Sequence, residues 1–268
     1  MPEIRLKCAS GLGDSIYIYP VLKEYLKKYD SRDITIMTNY PEIFQDLGVK
    51  TIRHTKDWAS HKISYCPRKY DTSTTQFQDV LMASRLPTDI KLNIPWKVKE
   101  PDYINKLYQK MKIPFNYLVV AAPYVPFGRC DGFGKELTIK YQYLDDILRQ
   151  LKKDYFVIQV GSEDSVYQLK NIDLNLCRKT TITQLMDLTS QASFVVGQVG
   201  HMIPIAEALN IPGMIVFSKN GLDCPNKFIS SITPQKIIHK KNLLMHCTDN
   251  EYMKTVHKRI ELWKQSRT

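Results

Sequence analysis

The hydrophobic and polar positions of this 268-residue chain follow a strand–helix alternation that begins near the N-terminus. An extended segment over residues 3–8 precedes a helix whose apolar positions are spaced i, i+3, i+4 and i+7, as on one helix face. These positions are Ile18, Val21, Leu22, Tyr25, Leu26 and Tyr29. Two further strands, over 33–38 and 49–54, flank a short helix over 41–47 that Gly48 ends. Such alternation with short connections predicts a parallel sheet.

The alternation starts again near residue 117. Four continuous apolar runs, over 117–122, 155–160, 194–196 and 214–217, are typical of strands covered on both faces. Helices are predicted over 141–151, 183–192 and 201–209, the second capped by Thr181 or Thr183. We therefore predict an α/β protein with an N-terminal domain over 1–112 and a C-terminal domain over 113–248. A basic amphipathic helix is predicted within residues 249–268, and one possible arrangement packs it back on the N-terminal domain.

The segment between Trp58 and Pro95 interrupts this regular pattern. It contains Arg68 and Lys69, a polar run over 71–76 and an amphipathic piece over 77–83. Long irregular segments on a regular scaffold often bind ligands, so both cations are candidate contacts to an anionic acceptor. A solvated insertion with ordinary surface charge is equally consistent with the sequence.

A glycine-containing turn, Gly11-Leu12-Gly13-Asp14, joins the first strand to the first helix. Glycine allows a tight turn and close approach of another group, where a Cβ would collide. The third glycine of the dinucleotide fingerprint is missing, because Ile16 takes its place, and no P-loop Lys-Ser/Thr follows. Asp14 can cap the helix and meet the positive end of its dipole. A capped first helix without chemistry explains these residues equally well.

Binding loops of parallel-sheet units lie at the carboxyl ends of their strands. If the two domains face each other, the cleft between them collects residues 10–14, 123–135, 161–164 and 197–201. The loop over 197–200 directly precedes a predicted helix, which makes it a candidate pyrophosphate site, and Lys135 could supply a countercharge.

Composition narrows the class of protein. No run of about eighteen apolar residues exists to span a bilayer, and Met-Pro-Glu-Ile-Arg lacks the apolar core of a signal peptide. The six cysteines are scattered without a C-x-x-C pair, which favours reduced thiols in a cytoplasmic protein over disulfides or zinc. Asp145 and Asp146 lie inside a helical pattern, where paired metal ligation is not expected, so we predict no metal site.

The formal net charge is +11, and both parts of the chain contribute. Residues 1–112 contain 19 basic and 13 acidic side chains, and the remainder contains 19 and 14. An even positive field favours a polyanionic partner, either nucleic acid or a phosphorylated membrane surface. A basic but otherwise ordinary soluble protein is the alternative.

The Gly-Leu-Gly-Asp turn together with Pro20, and the later block over residues 185–217, resemble glycosyltransferase family 9. This family comprises the ADP-heptose:lipopolysaccharide heptosyltransferases. The resemblance covers both ends of the chain and is thin through residues 50–115. It implies the GT-B fold, in which two Rossmann-like domains face each other across a cleft.

The resemblance also implies roles for particular residues. Asp14 matches the general base, with Ser10, Gly11 and Gly13 beside it on the acceptor side. The implied donor-binding residues are Lys135 for phosphate, Gly161 and Glu163 for the nucleoside, and Gly200 at the pyrophosphate helix. Two positions depart from the family: Gln198 stands where an Asp is usual, and His201 follows the glycine directly instead of three residues later. These departures leave the sugar and the base of the donor open.

The leading hypothesis is therefore an inverting, metal-independent glycosyltransferase that uses a nucleotide-sugar as co-substrate and needs no cofactor. The resemblance indicates lipopolysaccharide or another envelope glycan as the acceptor, and the net charge is equally consistent with phage DNA that carries hydroxymethylated bases. Basic residues in both domains and the aromatic residues Tyr65 and Tyr70 beside Arg68 slightly favour DNA, and the envelope glycan is the alternative. Two further hypotheses stay open. One is a sugar-nucleotide epimerase with Glu163 and His201 as acid and base, and the other is a non-catalytic binding module in which Asp14 only caps a helix.

Overall fold

The protein has an α/β fold with two parallel sheets. The computed structural model describes residues 4–7, 11–53, 61–62, 76–114, 116–121, 141–161, 168–198, 200–218 and 243–247. Every strand pairing within these residues is parallel. None of the helices in this described part is long and apolar enough to cross a bilayer.

The first sheet contains four strands in the order β3-β2-β1-β4. They are β1 (Ile4–Lys7), β2 (Ile34–Met37), β3 (Lys50–Ile52) and β4 (His61–Lys62). The helices of this part are α1 (Leu12–Leu26), the 3-10 helices Ser31–Asp33 and Pro41–Leu47, and α2 (Gln76–Ala83). All four residues of β2 are buried, as expected for a central strand covered on both faces.

The second sheet contains six strands in the order β10-β9-β8-β5-β6-β7. They are β5 (Tyr117–Ala121), β6 (Phe156–Val160), β7 (Leu174–Asn175), β8 (Phe194–Gln198), β9 (Gly213–Ser218) and β10 (Leu243–Cys247). The helices are α3 (Pro101–Met111), α4 (Tyr141–Leu151), α5 (Ile182–Ser190) and α6 (Met202–Ala208). Thr181, one of the two predicted caps, caps α5 by accepting the Gln184 N–H at 3.1 Å.

The structure differs from the predicted elements at several places. The helix over 41–47 is a 3-10 helix, although Gly48 ends it in the left-handed conformation at φ 65° as predicted. Gly197 and Gln198 belong to β8 rather than to the predicted loop, because they continue the pairing with Ile215 and Val216 of β9. The short strands β4 and β7 and the edge strand β10 were not predicted. The predicted C-terminal helix lies outside the described residues.

The hydrophobic core joins the two sheets. Its larger cluster includes Ile16 of α1 and Ile36 of β2 together with Val195 of β8 and Ile205 of α6. A smaller cluster packs α4 against the second sheet, with Leu144 and Leu148 at its centre. The predicted domain boundary at residue 112 follows the end of α3, and the division into two domains stays a prediction.

Candidate active site

The turn between β1 and α1 fixes the carboxylate of Asp14. Helix α1 begins at Leu12, so Asp14 is the third residue of its first turn, and the Asp14 Oδ2 accepts the Gly11 N–H at 3.0 Å. A Cβ on Gly11 would lie 2.7 Å from that same oxygen, closer than real Cβ contacts. Gly11 is therefore the residue that leaves room for the Asp14 carboxylate at the helix start. The predicted capping role of Asp14 agrees with this geometry.

Gly13 brings the first turn of α1 against the start of α6. A Cβ on Gly13 would lie 3.1 Å from Pro204 Cγ and 3.5 Å from His201 Cα. The two helices can approach this closely only because no side chain separates them. Since Asp14 follows Gly13 directly, Asp14 lies near the junction of the first and second sheets. The predicted cleft over residues 10–14, 123–135, 161–164 and 197–201 stays a prediction.

The carboxyl end of β2 closes the other side of the Asp14 turn. Thr38 Oγ1 lies 3.2 Å from Ser15 Oγ in a buried hydrogen bond and accepts the Tyr40 N–H at 3.0 Å. Burial raises the pKa of the half-buried Tyr40 phenol, and the carboxylates of Asp14 and Glu42 raise it further. The Thr38 hydroxyl therefore fixes the backbone of Tyr40, and the Tyr40 phenol lies close enough to Asp14 for the two groups to interact electrostatically.

Tyr17 and Glu207 form a second titratable pair at the same junction, one helical turn beyond Gly13 and Pro204. Burial raises the pKa of the Tyr17 phenol strongly, and the carboxylates of Glu207 and Asp14 add to the shift. The Tyr17 ring stacks on Phe77 of α2, with ring centroids 5.8 Å apart. Burial raises the pKa of Glu207 to about 7, so this carboxyl changes charge near neutral pH.

His201 lies at the beginning of α6, beside the backbone of Gly13. Burial lowers the pKa of its imidazole below the usual value, which favours the neutral ring at neutral pH. Gly200 precedes it with φ 156°, a conformation that other residues rarely adopt, while its Cβ position has nothing within 4 Å. Glycine is required there by backbone conformation rather than by space.

The remaining donor-side candidates in the described residues lie at the carboxyl edge of the second sheet. Gln198 ends β8, and Gly161 follows β6 and accepts the Arg178 N–H at 3.0 Å. Because β5 separates β8 from β6, the ends of these two strands are about 10 Å apart at ordinary strand spacing. The structure therefore places the backbones of Gly161 and Gln198 at the same edge of the sheet, two strand spacings apart.

Five predicted site residues lie outside the described residues: Ser10, Arg68, Lys69, Lys135 and Glu163. Their proposed roles stay predictions. Within the described part of the chain, no group of three or more His, Cys, Asp or Glu side chains could hold a metal ion.

Tyr17, Tyr40 and Glu207 were not among the site residues predicted from the sequence. A local signal existed only for Glu207, which is the single charged residue of the otherwise apolar helix α6. Tyr17 and Tyr40 had no such signal, because each is one aromatic residue among many in an apolar pattern. Tyr17 lies near Asp14 because it follows three residues later on α1, whereas only tertiary packing brings Tyr40 and Glu207 to this junction.

No protein-family model matches the sequence, and no curated protein sequence matches it. Among solved structures, the chain is similar to ADP-heptose lipopolysaccharide heptosyltransferase II from E. coli, with a TM-score of 0.64 and 12% identity over 100% of both chains. A family 9 glycosyltransferase from Veillonella parvula DSM 2008 matches with a TM-score of 0.67 and 10% identity, covering 99% of this chain and 98% of that one.

A third similar structure is the dodecameric, iron-containing heptosyltransferase TibC from E. coli H10407, in complex with ADP-D-β-D-heptose. Its TM-score is 0.62 at 11% identity, over 100% of this chain and 77% of that chain. At such identities the likeness is one of fold. The chain has the GT-B-like α/β fold of these glycosyltransferases, and the resemblance inferred from the Gly-Leu-Gly-Asp turn is confirmed at the level of the fold.

Proposed function

We propose that this protein is a heptosyltransferase-like glycosyltransferase, which moves a sugar from a nucleotide-sugar donor to a hydroxyl group of an anionic envelope glycan. The observation that carries the proposal is the position of Asp14. Its carboxylate is fixed by the Gly11 N–H, and the neighbouring Gly13 lies against the start of α6. A carboxylate at the junction of two parallel sheets is suited to meet an acceptor on one side and a donor on the other.

The proposed reaction is a single displacement with inversion at the anomeric carbon. The acceptor oxygen forms a bond to the anomeric carbon while its proton passes to the Asp14 carboxylate. The bond between that carbon and the phosphate oxygen breaks, and the electron pair leaves with the nucleoside diphosphate. A carboxylate has about four acceptor sites, so the bond to Gly11 N–H is compatible with accepting a substrate hydroxyl as well.

The proposed donor-binding site lies at the carboxyl edge of the second sheet and at the start of α6. A neutral His201 can donate one N–H to a diphosphate oxygen, and Gly200 allows the backbone to approach the ligand closely. Lys135 and Glu163 are proposed to contact phosphate and nucleoside, and Gly161 and Gln198 to line the same side. The proposal includes no metal and no cofactor beyond the co-substrate, and we expect a cytoplasmic enzyme.

The acceptor is proposed to be a lipopolysaccharide-type glycan, since the similar E. coli protein is a lipopolysaccharide heptosyltransferase. The net charge of +11 is compatible with this acceptor and with hydroxymethylated DNA. Binding to duplex DNA at rising salt separates the two. A steep loss of affinity together with transfer to hydroxymethylated duplex would favour DNA, whereas transfer only to the glycan supports the proposal.

The first experiment is a thermal-shift panel of nucleoside diphosphates and their sugars with the full chain. A donor at one hundred times its dissociation constant adds about 2.7 kcal/mol to the free energy of unfolding. Stabilising donors are then tested for release of nucleoside diphosphate with and without acceptor glycan. Donor conversion without acceptor would indicate an epimerase, and binding without any turnover would indicate a non-catalytic module. Either result contradicts the proposed transfer.

The sharpest variant is Asp14→Asn, because the amide oxygen can still accept the Gly11 N–H while the basic carboxylate is lost. Transfer should fall about 100-fold or more, with donor affinity unchanged, since general base catalysis is worth about that much. Asp30→Asn is the matched control, because Asp30 also accepts a backbone N–H at a helix start, from Arg32 at 2.9 Å. Transfer that survives Asp14→Asn would remove Asp14 from the proposed mechanism.

A further inference from the structure

Helix α5 carries a fully buried carboxylate that binds the segment joining the first sheet to α3. Asp187 is 0% exposed and accepts hydrogen bonds from Trp96 Nε1 at 2.7 Å, Lys99 N at 3.0 Å and Glu100 N at 2.7 Å. All three donors belong to the segment that leads from α2 of the first sheet to α3. A buried carboxylate with three donors is well satisfied and fixes their backbone in one arrangement.

Lys99 extends this attachment into the first sheet. While its N–H is bound to Asp187, its Nζ donates to the Glu42 carbonyl oxygen at 3.0 Å and approaches Gln45 Oε1 at 3.3 Å. Both acceptors belong to the 3-10 helix Pro41–Leu47. The Nζ also lies 4.2 Å from the centroid of the Trp96 ring, in cation–π geometry. One residue therefore connects α5 with the 3-10 helix.

The charges around Lys99 come from both sides of this connection. Burial lowers the pKa of the half-buried ammonium, while the carboxylates of Asp46, Asp187 and Glu42 act in the opposite direction. Asp46 and Glu42 belong to the 3-10 helix, whereas Asp187 belongs to α5. An ammonium with acidic neighbours on two elements favours the arrangement in which those elements stay together.

The 3-10 helix continues directly from the candidate site. Tyr40 precedes its first residue, and the Tyr40 carbonyl oxygen accepts the Ile43 N–H at 3.2 Å. Tyr40 is also the phenol within electrostatic reach of Asp14. Hydrogen bonds of 3-10 helices have poor geometry, so such a short helix depends on tertiary contacts for its position. Its Ile43 and Phe44 side chains are buried in the core, Asp46 accepts a hydrogen bond from Tyr19, and Lys99 adds the polar contacts at Glu42 and Gln45.

We propose that Lys99 is a positioning residue for the transfer reaction: anchored by Asp187, it holds the 3-10 helix so that Tyr40 lies beside Asp14 on the acceptor side. The inference rests on the proposed function for its kinetic consequence and on the structure alone for its geometry. It assigns Lys99 no contact with the substrate.

The test compares Lys99→Met with Lys97→Met in the full chain. Methionine keeps an unbranched apolar stem but removes the Nζ bonds, and Lys97 is an exposed lysine of the same segment. In Lys99→Met, kcat/KM for the acceptor should fall about tenfold or more, because small displacements near a reacting group are costly. Donor affinity should change less than about twofold, and Lys99→Arg should restore part of the loss. Lys97→Met should leave both kcat/KM for the acceptor and donor affinity unchanged.

Amide hydrogen exchange gives a readout that needs no activity. Exchange in residues 40–47 should accelerate in Lys99→Met and not in Lys97→Met, while exchange in β6 and β8 stays unchanged. If exchange in residues 40–47 accelerates in Lys99→Met but the wild-type protein shows no transfer activity, the proposed function is contradicted. The inference that Lys99 positions the 3-10 helix would still hold. Unchanged exchange, or lower thermal stability with unchanged kcat/KM for the acceptor, would overturn the positioning role.

Discussion

The contact between Gly11 and Asp14 makes a quantitative prediction about the variant Gly11→Ala. The backbone at Gly11 has φ −83° and ψ 154°, which alanine adopts without strain, so only the side-chain contact matters. The new Cβ would lie 2.7 Å from Asp14 Oδ2 and force the carboxylate away from the Gly11 N–H. Losing a charge-assisted bond at a helix start costs about 1–3 kcal/mol, offset by about 0.4–1 kcal/mol from the stiffer unfolded chain. The expected net loss is about 1–2 kcal/mol.

A double-mutant cycle with Asp14→Ala isolates that contact. In the Asp14→Ala background, Gly11→Ala meets no carboxylate oxygen and should be neutral or slightly stabilising. The effect of alanine on the unfolded chain is present in both backgrounds and cancels, so the coupling should equal the contact loss of about 1–3 kcal/mol. Urea unfolding of the four proteins at 25 °C, compared at one urea concentration near their midpoints, measures it. Additive effects within about 0.5 kcal/mol would refute the role of Gly11 in making room for the Asp14 carboxylate.

Two further predictions concern the junction between α1 and α6. Glu207→Gln should remove a pH dependence: the folded pKa of about 7 exceeds the unfolded value of 4.5, so the native carboxyl holds a proton that the unfolded chain has lost. In the wild type, the free energy of unfolding should therefore fall by up to about 3 kcal/mol as pH rises from about 4.5 to 7. In Glu207→Gln, the free energy of unfolding measured with urea should lack this fall. Gly200→Ala should cost about 1–3 kcal/mol of unfolding free energy through its φ of 156° alone; a neutral result would mean that the loop relaxes into a conformation open to alanine.

Sequence periodicity predicted most helices and, apart from β10, the strands of five or more residues, because each buries a continuous or regularly spaced apolar set. Helix α4 and strand β5 lie where the pattern placed them, over Tyr141–Leu151 and Tyr117–Ala121. The two-residue strands β4 and β7 could not be found in this way, since two residues carry no period. The 3-10 form of Pro41–Leu47 also has no local signal, and its polar contacts come from the distant residues Tyr19 and Lys99.

The candidate site was predictable in part for a similar reason. Asp14 could be identified because capping is a local property that spacing shows. Asp187 stands between apolar neighbours in α5, which signals a buried charge but not its partners. Lys99 had no signal at all, because its function depends on Asp187, 88 residues later in the chain, and on Glu42, 57 residues earlier.

The two glycines of the turn constrain how Asp14 can act. Gly11 gives the carboxylate its place at the helix start, and Gly13 lets the second-sheet helix α6 approach it, so neither glycine needs a phosphate to explain it. Capping and catalysis therefore need not exclude each other, because the bond that caps α1 also orients the candidate base. The two roles respond differently to substitution: Asp14→Asn removes the basic group and keeps its position, whereas Gly11→Ala keeps the basic group and displaces it. A catalytic Asp14 requires that both variants lose transfer, while a purely capping Asp14 requires that activity follows stability alone.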